Sequence, residues 1–331
     1  MQRSRLARLT AGVAILGLVL SACGPTGTGG SAAPSTAGGA SAAPSTAAGG
    51  SAGTVKLEIN PWVGAEANVA VVKRLLETKL GYTVTAAPLA EEVAWPGFDT
   101  GEIDAILENW GHPDLEKTYI TDKGVAVDAG LNGVNGIIGW YIPEWMATQY
   151  PDIVDSTNLN KYADLFKTSE SGDQGQFLGS DPTFVTNDEA LIKNLGLNFK
   201  VVYSGSEAAT ITAFQQADKN KTPLIGYFYD PQWLLSEIKL VQIKLPPYTP
   251  GCDADLKKVA CDYPPYILNK IARTKFMDTV GDGATFIKNF KWGNADQNSV
   301  ADAITNKNMS PEDAAKQWID ANQATWQAWL P

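Results

Sequence analysis

Few side chains in this sequence could carry out catalysis. His112 is the single histidine among 331 residues, so a serine or cysteine nucleophile has one candidate base, and no G-x-S-x-G motif accompanies it. The glycine-rich stretch 24–30 follows no predicted strand and opens no predicted helix, which excludes a nucleotide-binding loop. Paired-carboxylate hydrolysis stays open because the chain has 36 acids. With no catalytic signature matched, we expect neither an enzyme nor a metal or cofactor site.

Aromatic side chains, in contrast, stand at the ends of predicted strands. Trp62 and Trp110 each follow a strand closely, and Tyr227 and Tyr229 end another. Ligands of α/β folds bind at the carboxyl ends of strands, so these rings could line a cleft. Several ring faces hold a trimethylammonium group at about 0.5 to 2 kcal/mol each. The alternative is ordinary packing, to which we assign Trp95, Trp145, Trp233, Trp292, Trp318, Trp326 and Trp329.

Apolar periodicity predicts alternating strands and helices from Thr54 onward. Val69, Val72 and Leu75 recur at helical spacing, and Gly81 ends that helix. The order strand, helix, strand indicates a parallel sheet with helices on its faces. We expect strands at 55–59, 82–86, 103–107, 176–179, 200–203 and 223–229, and helices at 66–80, 95–100, 187–195 and 206–217, with a further capped helix starting at 310–313.

Two α/β lobes joined by two chain crossings are the expected architecture. The apolar stretch 136–142 would carry the chain from the first lobe to the second, and 241–245 would bring it back. The first lobe would then consist of 54–138 and 244–331, and the second of 139–243. We expect the ligand in the cleft between the two lobes.

The beginning of the chain predicts export. Three arginines precede an apolar run that is about half of the roughly 20 residues needed to span a membrane, and the run leads to the lipoprotein-like box LSAC. We expect a signal peptide at 1–22 and lipidation of Cys23 on the extracytoplasmic face of the cell membrane. In the alternative, an ordinary signal peptide, Cys23 is lost or free. Residues 23–53 are almost entirely Gly, Ala, Ser, Thr and Pro and would form a disordered tether.

Charge and cysteine content agree with export. Loss of residues 1–22 removes three arginines and no acid, which moves the formal net charge from -10 to -13 and argues against a nucleic-acid partner. An acidic surface favours a cationic or zwitterionic solute, although it is also an ordinary solvated surface. Cys252 and Cys261 are an even pair, and an oxidising compartment makes a disulfide their expected state.

Four motifs in order give the body a family resemblance. It resembles the glycine betaine/proline betaine binding proteins of osmoprotectant ABC importers, which include choline binders. The resemblance implies a two-lobed periplasmic-binding-protein fold of α/β class (type II-like), ABC permease subunits as partners, and a monomer. The motifs are LLETKLGYTV at 75–84, TGEIDA at 100–105 running to the NW at 109–110, GYFYDPQW at 226–233, and LPPYTPGC at 245–252 with VACDYPP at 259–265.

By position, the resemblance implies an aromatic box around the ammonium group. Its rings would be Trp110, Tyr229, Phe184 and Trp62. Tyr141 is a fifth candidate, whose alternative role is core or hinge packing. In this family a histidine or basic residue often binds the betaine carboxylate. His112 would do so if it faces the cleft; otherwise it is a loop residue.

The sequence ranks glycine betaine first, followed by choline or proline betaine. Glu66 and Glu108 complicate this order, because an acid beside the box favours a pure cation, whereas a zwitterion needs hydrogen-bond donors for its carboxylate. Two other functions stay open. One is a lipid-anchored receptor that presents the same ligand to a sensor, and the other is an extracytoplasmic hydrolase.

Overall fold

The computed structural model describes residues 52–279 and 281–331. The predicted signal peptide, Cys23 and nearly all of the predicted tether lie outside these residues, so these expectations remain predictions. Within the described part of the chain, no helix is both long enough and apolar enough to span a membrane.

Strands and helices alternate through most of the described chain. The strands are β1 (Thr54–Ile59), β2 (Thr83–Pro88), β3 (Ala105–Asn109), β4 (Ala126–Pro143), β5 (Gly175–Gly179), β6 (Phe199–Tyr203), β7 (Gly226–Asp230), β8 (Leu240–Gln242) and β9 (Tyr266–Arg273). The α-helices are α1 (Val63–Leu80), α2 (Glu91–Ala94), α3 (Pro96–Thr100), α4 (Pro113–Glu116), α5 (Glu144–Gln149), α6 (Asp188–Asn194), α7 (Glu207–Asn220), α8 (Thr274–Thr279), α9 (Asp282–Asn289), α10 (Asn294–Thr305), α11 (Pro311–Ala321) and α12 (Gln323–Gln327). Short 3₁₀ segments lie at Pro151–Val154, Ser156–Phe166 and Trp233–Ser236, and a π-helical turn at Lys117–Asp122.

The first helix shows how the apolar pattern fixes an element. Leu75 and Leu76 of α1 are fully buried, and Gly81 closes the helix at φ 72° with its N–H bonded to the carbonyl of Leu76. A left-handed residue at this position favours glycine, as the sequence predicted. The helix begins three residues earlier than expected, at Val63, with Trp62 as its N-cap residue. Trp62 is thereby held at the junction of strand and helix.

The sheet is mixed, and the parallel pairing expected for the first three strands is confirmed. Its order is β2-β1-β3-β9-β4-β7-β5-β6, with β8 also paired to β4. The pairs of β1 with β2 and β3 are parallel, as are those of β5 with β6 and β7. β9 runs antiparallel to both β3 and β4. The C-terminal part of the chain therefore enters the sheet in the opposite direction, which strand-helix-strand spacing could not reveal.

A single long strand, β4, carries the chain across the sheet. Its first part, up to Gly136, pairs with β9, and from Ile137 onward it pairs with β7 and β8. The predicted crossing at 136–142 coincides with this change of partner. The division into two lobes at the stated residues remains our proposal.

The predicted return crossing at 241–245 stays a prediction, and the structure shows where this segment lies. Ile243 donates its backbone N–H to the carbonyl of Trp140 at 2.7 Å, and Lys244 donates to the carbonyl of Val154 at 2.7 Å. The segment therefore stays beside the second part of β4. The chain meets the first part of β4 only at Tyr266, where β9 begins.

Between these points lies the loop of the disulfide. Cys252 and Cys261 are bonded to each other, in the pairing expected. Tyr263, two residues further on, accepts the backbone N–H of Asn187 at 2.8 Å and donates its hydroxyl to Asp188 at 2.9 Å. The loop is thereby tied to the start of α6.

Candidate ligand-binding site

Four aromatic side chains from distant parts of the sequence line one small cavity. They are Trp62 before α1, Trp110 directly after β3, Phe184 in the turn between β5 and α6, and Tyr229 on β7. All four are buried, with 5–8% of their surface exposed. The resemblance named the same four residues, and the structure brings them together.

The rings face one another at close range. The centroid of Trp62 lies 5.4 Å from that of Phe184 and 6.5 Å from that of Trp110. Tyr229 is 5.7 Å from Trp110 and 6.3 Å from Phe184. The planes cross at 83–87° in these pairs. Such edge-to-face packing is the favoured arrangement of aromatic groups.

The aromatic lining includes a fifth ring that the resemblance did not assign, Tyr227. Its centroid lies 6.3 Å from that of Phe184 and 6.4 Å from that of Tyr229. Residues two apart on a strand point to the same face. The position of Tyr227 near the end of a predicted strand had already placed it among the rings that could line a cleft, and its period of two with Tyr229 indicates a shared face.

A buried carboxylate, Glu108, holds the two tryptophans. The indole N–H groups of Trp62 and Trp110 both donate to Oε1 of Glu108, at 2.9 and 2.8 Å. Asn68 of α1 donates its side-chain amide to Oε2. Burial raises the pKa of Glu108 to about 7, despite the hydrogen bonds from the two indoles, which lower it.

A second buried carboxylate, Glu207, supports the tyrosine side of the cavity. It accepts the hydroxyl of Tyr229, the backbone N–H of Val63 at 2.8 Å, and the side-chain amide of Gln232 at 3.2 Å. Burial raises its pKa. Because Val63 begins α1 and Tyr229 lies on β7, Glu207 links the start of α1 to β7.

Acidic groups dominate the charge around the cavity. Glu91 belongs to the cavity lining and is 3% exposed. Glu58 is 2% exposed, and its pKa is raised well above the ordinary value by burial and then by Glu91 and Glu108. Glu66, which the sequence also placed near the box, lies in the first turn of α1 and is not part of the lining.

His112 faces an acid and not the cavity. Its Nε2 lies 3.1 Å from Oε2 of Glu91, and its Nδ1 lies 3.9 Å from Glu92. Burial lowers the pKa of His112, but the hydrogen bond and charge of Glu91 outweigh it, and the pKa is raised. His112 is not among the residues that line the cavity, so its predicted contact with a ligand carboxylate gains no support.

Tyr141 also lies outside the lining. It pairs with Gly226 and Gln242 across β4, β7 and β8, and its ring packs edge-on against Phe228 at 6.2 Å. Its environment matches the alternative given above, that of a core residue. The tryptophans assigned to packing are absent from the lining too.

The lining of this cavity is mostly aromatic. Lysine and arginine are missing from its described lining, and the described residues hold no group of three or more His, Cys, Asp or Glu side chains suited to a metal ion. The lining combines aromatic faces with one carboxylate, which suits a small cation without hydrogen-bond donors on its charged end.

Comparison with known proteins identifies the family. The family model described as the substrate binding domain of ABC-type glycine betaine transport system (OpuAC) matches residues 53–321. The chain belongs to this family. Members of the family bind small ammonium compounds outside the cytoplasm and work with ABC permease subunits.

Individual relatives are more distant. Over 257 residues, the chain is 25% identical to the trimethylamine N-oxide-binding protein of Pelagibacter ubique (strain HTCC1062), covering 75% of this chain and 81% of that protein. Lactococcal OpuAC in its closed form with glycine betaine superposes with a TM-score of 0.66 at 22% identity, over 84% of this chain and 99% of that one. An ABC-transporter choline binding protein in complex with choline superposes with a TM-score of 0.67 at 18% identity, over 83% of this chain and 91% of that one. These two structures share the two-lobed fold of periplasmic binding proteins with this chain.

Proposed function

We propose that this substrate-binding protein captures a quaternary-ammonium solute in the cage formed by Trp62, Trp110, Phe184 and Tyr229. The observation that carries the proposal is the convergence of these four rings on one buried cavity. A trimethylammonium group is weakly hydrated and donates no hydrogen bond, so ring faces and methyl contacts are what holds it.

The energetics agree with useful affinity. Four rings at about 0.5 to 2 kcal/mol each supply a large part of the roughly 8 kcal/mol that micromolar binding needs. Burial of the methyl groups adds about 25 cal/mol for each Å² of apolar surface removed from water.

The charge around the cavity supports choline ahead of glycine betaine, which reverses the order expected from the sequence. A betaine carboxylate would approach the acidic side chain of Glu91 without a lysine or arginine in the described lining to offset it. The hydroxyl of choline can instead donate a hydrogen bond to a carboxylate. Trimethylamine N-oxide shares the trimethylated nitrogen and belongs among the candidates, because a relative is named for it.

Two further features complete the proposal. We infer that Cys23 carries a lipid anchor outside the cell membrane and that the protein acts as a monomer which delivers its ligand to the permease. We also infer that the ligand leaves unchanged, because the chain belongs to a family of transporter substrate-binding proteins.

The decisive experiment is a calorimetric and thermal-shift screen of the purified protein. The panel contains choline, glycine betaine, proline betaine, carnitine, trimethylamine N-oxide, ectoine and neutral amino acids. Binding raises stability by RT ln(1 + [L]/Kd), so we expect a selective rise in Tm with one quaternary amine. Chromatography of the released ligand should recover it quantitatively, and a new product would support the hydrolase instead.

Variants of the cage test its location. Trp110→Ala and Tyr229→Ala should each weaken binding by at least about tenfold, the equivalent of 1.4 kcal/mol. Trp145→Phe is the matched control, because Trp145 lies outside the cavity lining. Normal binding by both cage variants would place the ligand elsewhere.

A further inference from the structure

Glu108 stands behind the cage, on β3, with 1% of its surface exposed. One of its oxygens, Oε1, receives the indole N–H groups of both Trp62 and Trp110, and the other receives an amide N–H of Asn68. The two tryptophans belong to different elements, and Glu108 is the acceptor that they share.

This shared acceptor determines where the two ring faces point. An indole can rotate about its side-chain bonds, but a hydrogen bond from its N–H to a fixed acceptor selects one rotamer. Trp62 and Trp110 are both fixed in this way, and their planes cross at 87° with the centroids 6.5 Å apart. The relative orientation of the two faces therefore depends on a side chain that does not itself line the cavity.

The charge of Glu108 lacks a cationic partner in the protein. All three of its donors are neutral groups, and no lysine or arginine pairs with it among the described residues. The neighbouring charged groups Glu58 and Glu91 are themselves acids. A buried anion without a counter-charge is costly. A cation seated against the tryptophan faces would supply the missing charge, with the two indoles between the opposite charges.

We propose that Glu108 is a positioning residue that aligns the two tryptophan faces and makes the cage prefer a cation to an uncharged molecule of the same shape. This inference rests on the proposed function, because it concerns the same cavity. It assigns two separable effects to one carboxylate. The orientation of the two tryptophan rings depends on Glu108 as a hydrogen-bond acceptor. The preference of the cage for a cation depends on the negative charge of Glu108.

The two effects can be separated by substitution. Glu108→Gln keeps a side-chain oxygen that can accept the indole N–H groups and removes the charge. Asn68 has a buried side-chain oxygen without a hydrogen-bond partner, which can accept the new amide N–H after the Asn68 amide rotates. Glu108→Leu removes both acceptor and charge. Glu102→Gln is the control, because Glu102 is an exposed acid shortly before β3 and its loss changes the net charge equally.

Choline and 3,3-dimethylbutan-1-ol are the probes, because the second replaces the charged nitrogen by carbon with nearly the same shape. Calorimetry, with competition for the weaker probe, gives the affinity ratio of the two. We expect Glu108→Gln to lower choline affinity about tenfold, the scale of one charge interaction across a partly polar medium, with the alcohol changed less than twofold. The ratio should fall accordingly, whereas Glu102→Gln should leave it unchanged.

Other outcomes overturn the inference. Equal weakening of both probes by Glu108→Gln would mean that Glu108 is only structural. An unchanged near-ultraviolet circular dichroism spectrum of the tryptophans in Glu108→Leu, with normal choline binding, would show that it does not position the rings. Failure of the unaltered protein to bind any quaternary amine would overturn the proposed function itself, and the inference with it.

Discussion

Gly136 lies directly against the indole ring of Trp110. A Cβ atom at Gly136 would stand 2.5 Å from Cζ3 and 2.7 Å from Cη2 of that ring. Contacts this short force a displacement, and a buried aromatic ring between other rings has little room to move. Gly136 lies where β4 changes its pairing partner. Because it has no side chain, it leaves space for the ring of Trp110, one wall of the cage.

Gly136→Ala should consequently displace Trp110 and weaken choline binding about tenfold, with most of the fold retained because overpacking costs typically 1–3 kcal/mol. Calorimetry and circular dichroism measure the two effects. The control is Gly139→Ala on the same strand, where the added Cβ would meet the flexible side chain of Gln242. Equal loss of affinity in both variants would contradict the assigned contact.

Glu91→Gln should narrow the preference between ligands. Without the carboxylate, choline loses an acceptor for its hydroxyl, and the carboxylate of glycine betaine no longer meets a like charge. We expect the ratio of choline to betaine affinity to fall by at least about tenfold, the scale of one hydrogen bond to a charged group. Glu92→Gln is the matched control, because Glu92 is the adjacent exposed acid. An unchanged ratio would remove Glu91 from the selection of the ligand.

Choline affinity should rise with pH through the region of 7. Glu108 has a pKa of about 7 in the empty cage because it is buried, and a nearby cation favours its ionised form. Binding therefore releases a proton from the protein, since a quaternary ammonium has none to lose. Calorimetry at pH 5.5, 7 and 8.5, in buffers with different ionisation enthalpies, measures both effects. A flat profile, or one that falls with pH, would contradict the prediction.

Other titratable groups around the cavity act in the same direction. Glu58 and Glu207 have raised pKa values because they are buried, so they also become more negative as the pH rises. His112 has a pKa raised by Glu91, against the effect of its burial, and it loses its positive charge over the same change.

The same carboxylate, Glu108, makes the stability of the unliganded protein change with pH in the opposite direction to choline affinity. The folded pKa of Glu108, about 7, lies above the ordinary value of 4.5. Its contribution to stability is therefore fully present below about pH 4.5 and is lost as the pH rises through about 7. Urea unfolding of Glu108→Gln should lack this loss, and saturating choline should reduce it in the unaltered protein. A parallel pH dependence in the two proteins would contradict the raised pKa.

Loss of the disulfide should lower the stability of the protein more than it lowers the affinity for the ligand. Cys252 and Cys261 close a short loop, with a sequence separation of 9, for which chain entropy gives about 2–3 kcal/mol. The double variant Cys252→Ser/Cys261→Ser should have a free energy of unfolding lower by about that amount in urea titrations. A reducing agent should destabilise the unaltered protein similarly and leave the double variant unchanged. Equal stability of all forms would show that the loop is held by its other contacts.

The cage was predictable because its residues carry a strong local signal. Trp62 and Trp110 directly follow strands, and the carboxyl ends of parallel strands are where α/β folds bind ligands. Phe184 and Tyr229 came from the resemblance, and Tyr227 was visible as the residue two positions earlier on the same strand. Periodicity also gave α1 and its end at Gly81 within a few residues, since a glycine with positive φ is a strong stop signal.

Contacts between distant segments were not predictable in the same way. The antiparallel entry of β9, and the attachment of 241–245 beside Trp140, depend on pairing across more than 100 residues, which leaves no periodicity in the sequence. Glu108 was noticed only as an acid beside a tryptophan. Its bond to Trp62 could not be foreseen, because that bond requires the register of two strands and the start of a helix to be known together.

The distribution of the cage along the chain, from residue 62 to residue 229, has a consequence for folding. No short fragment contains the four rings, and β4 must have joined both parts of the sheet before they can meet. Choline should therefore bind none of the partly folded states in which only one part of the sheet has formed. Choline should slow the unfolding of the complete molecule without accelerating the earliest steps of its refolding. Fluorescence of the tryptophans, which include Trp62 and Trp110, can report the last step of refolding.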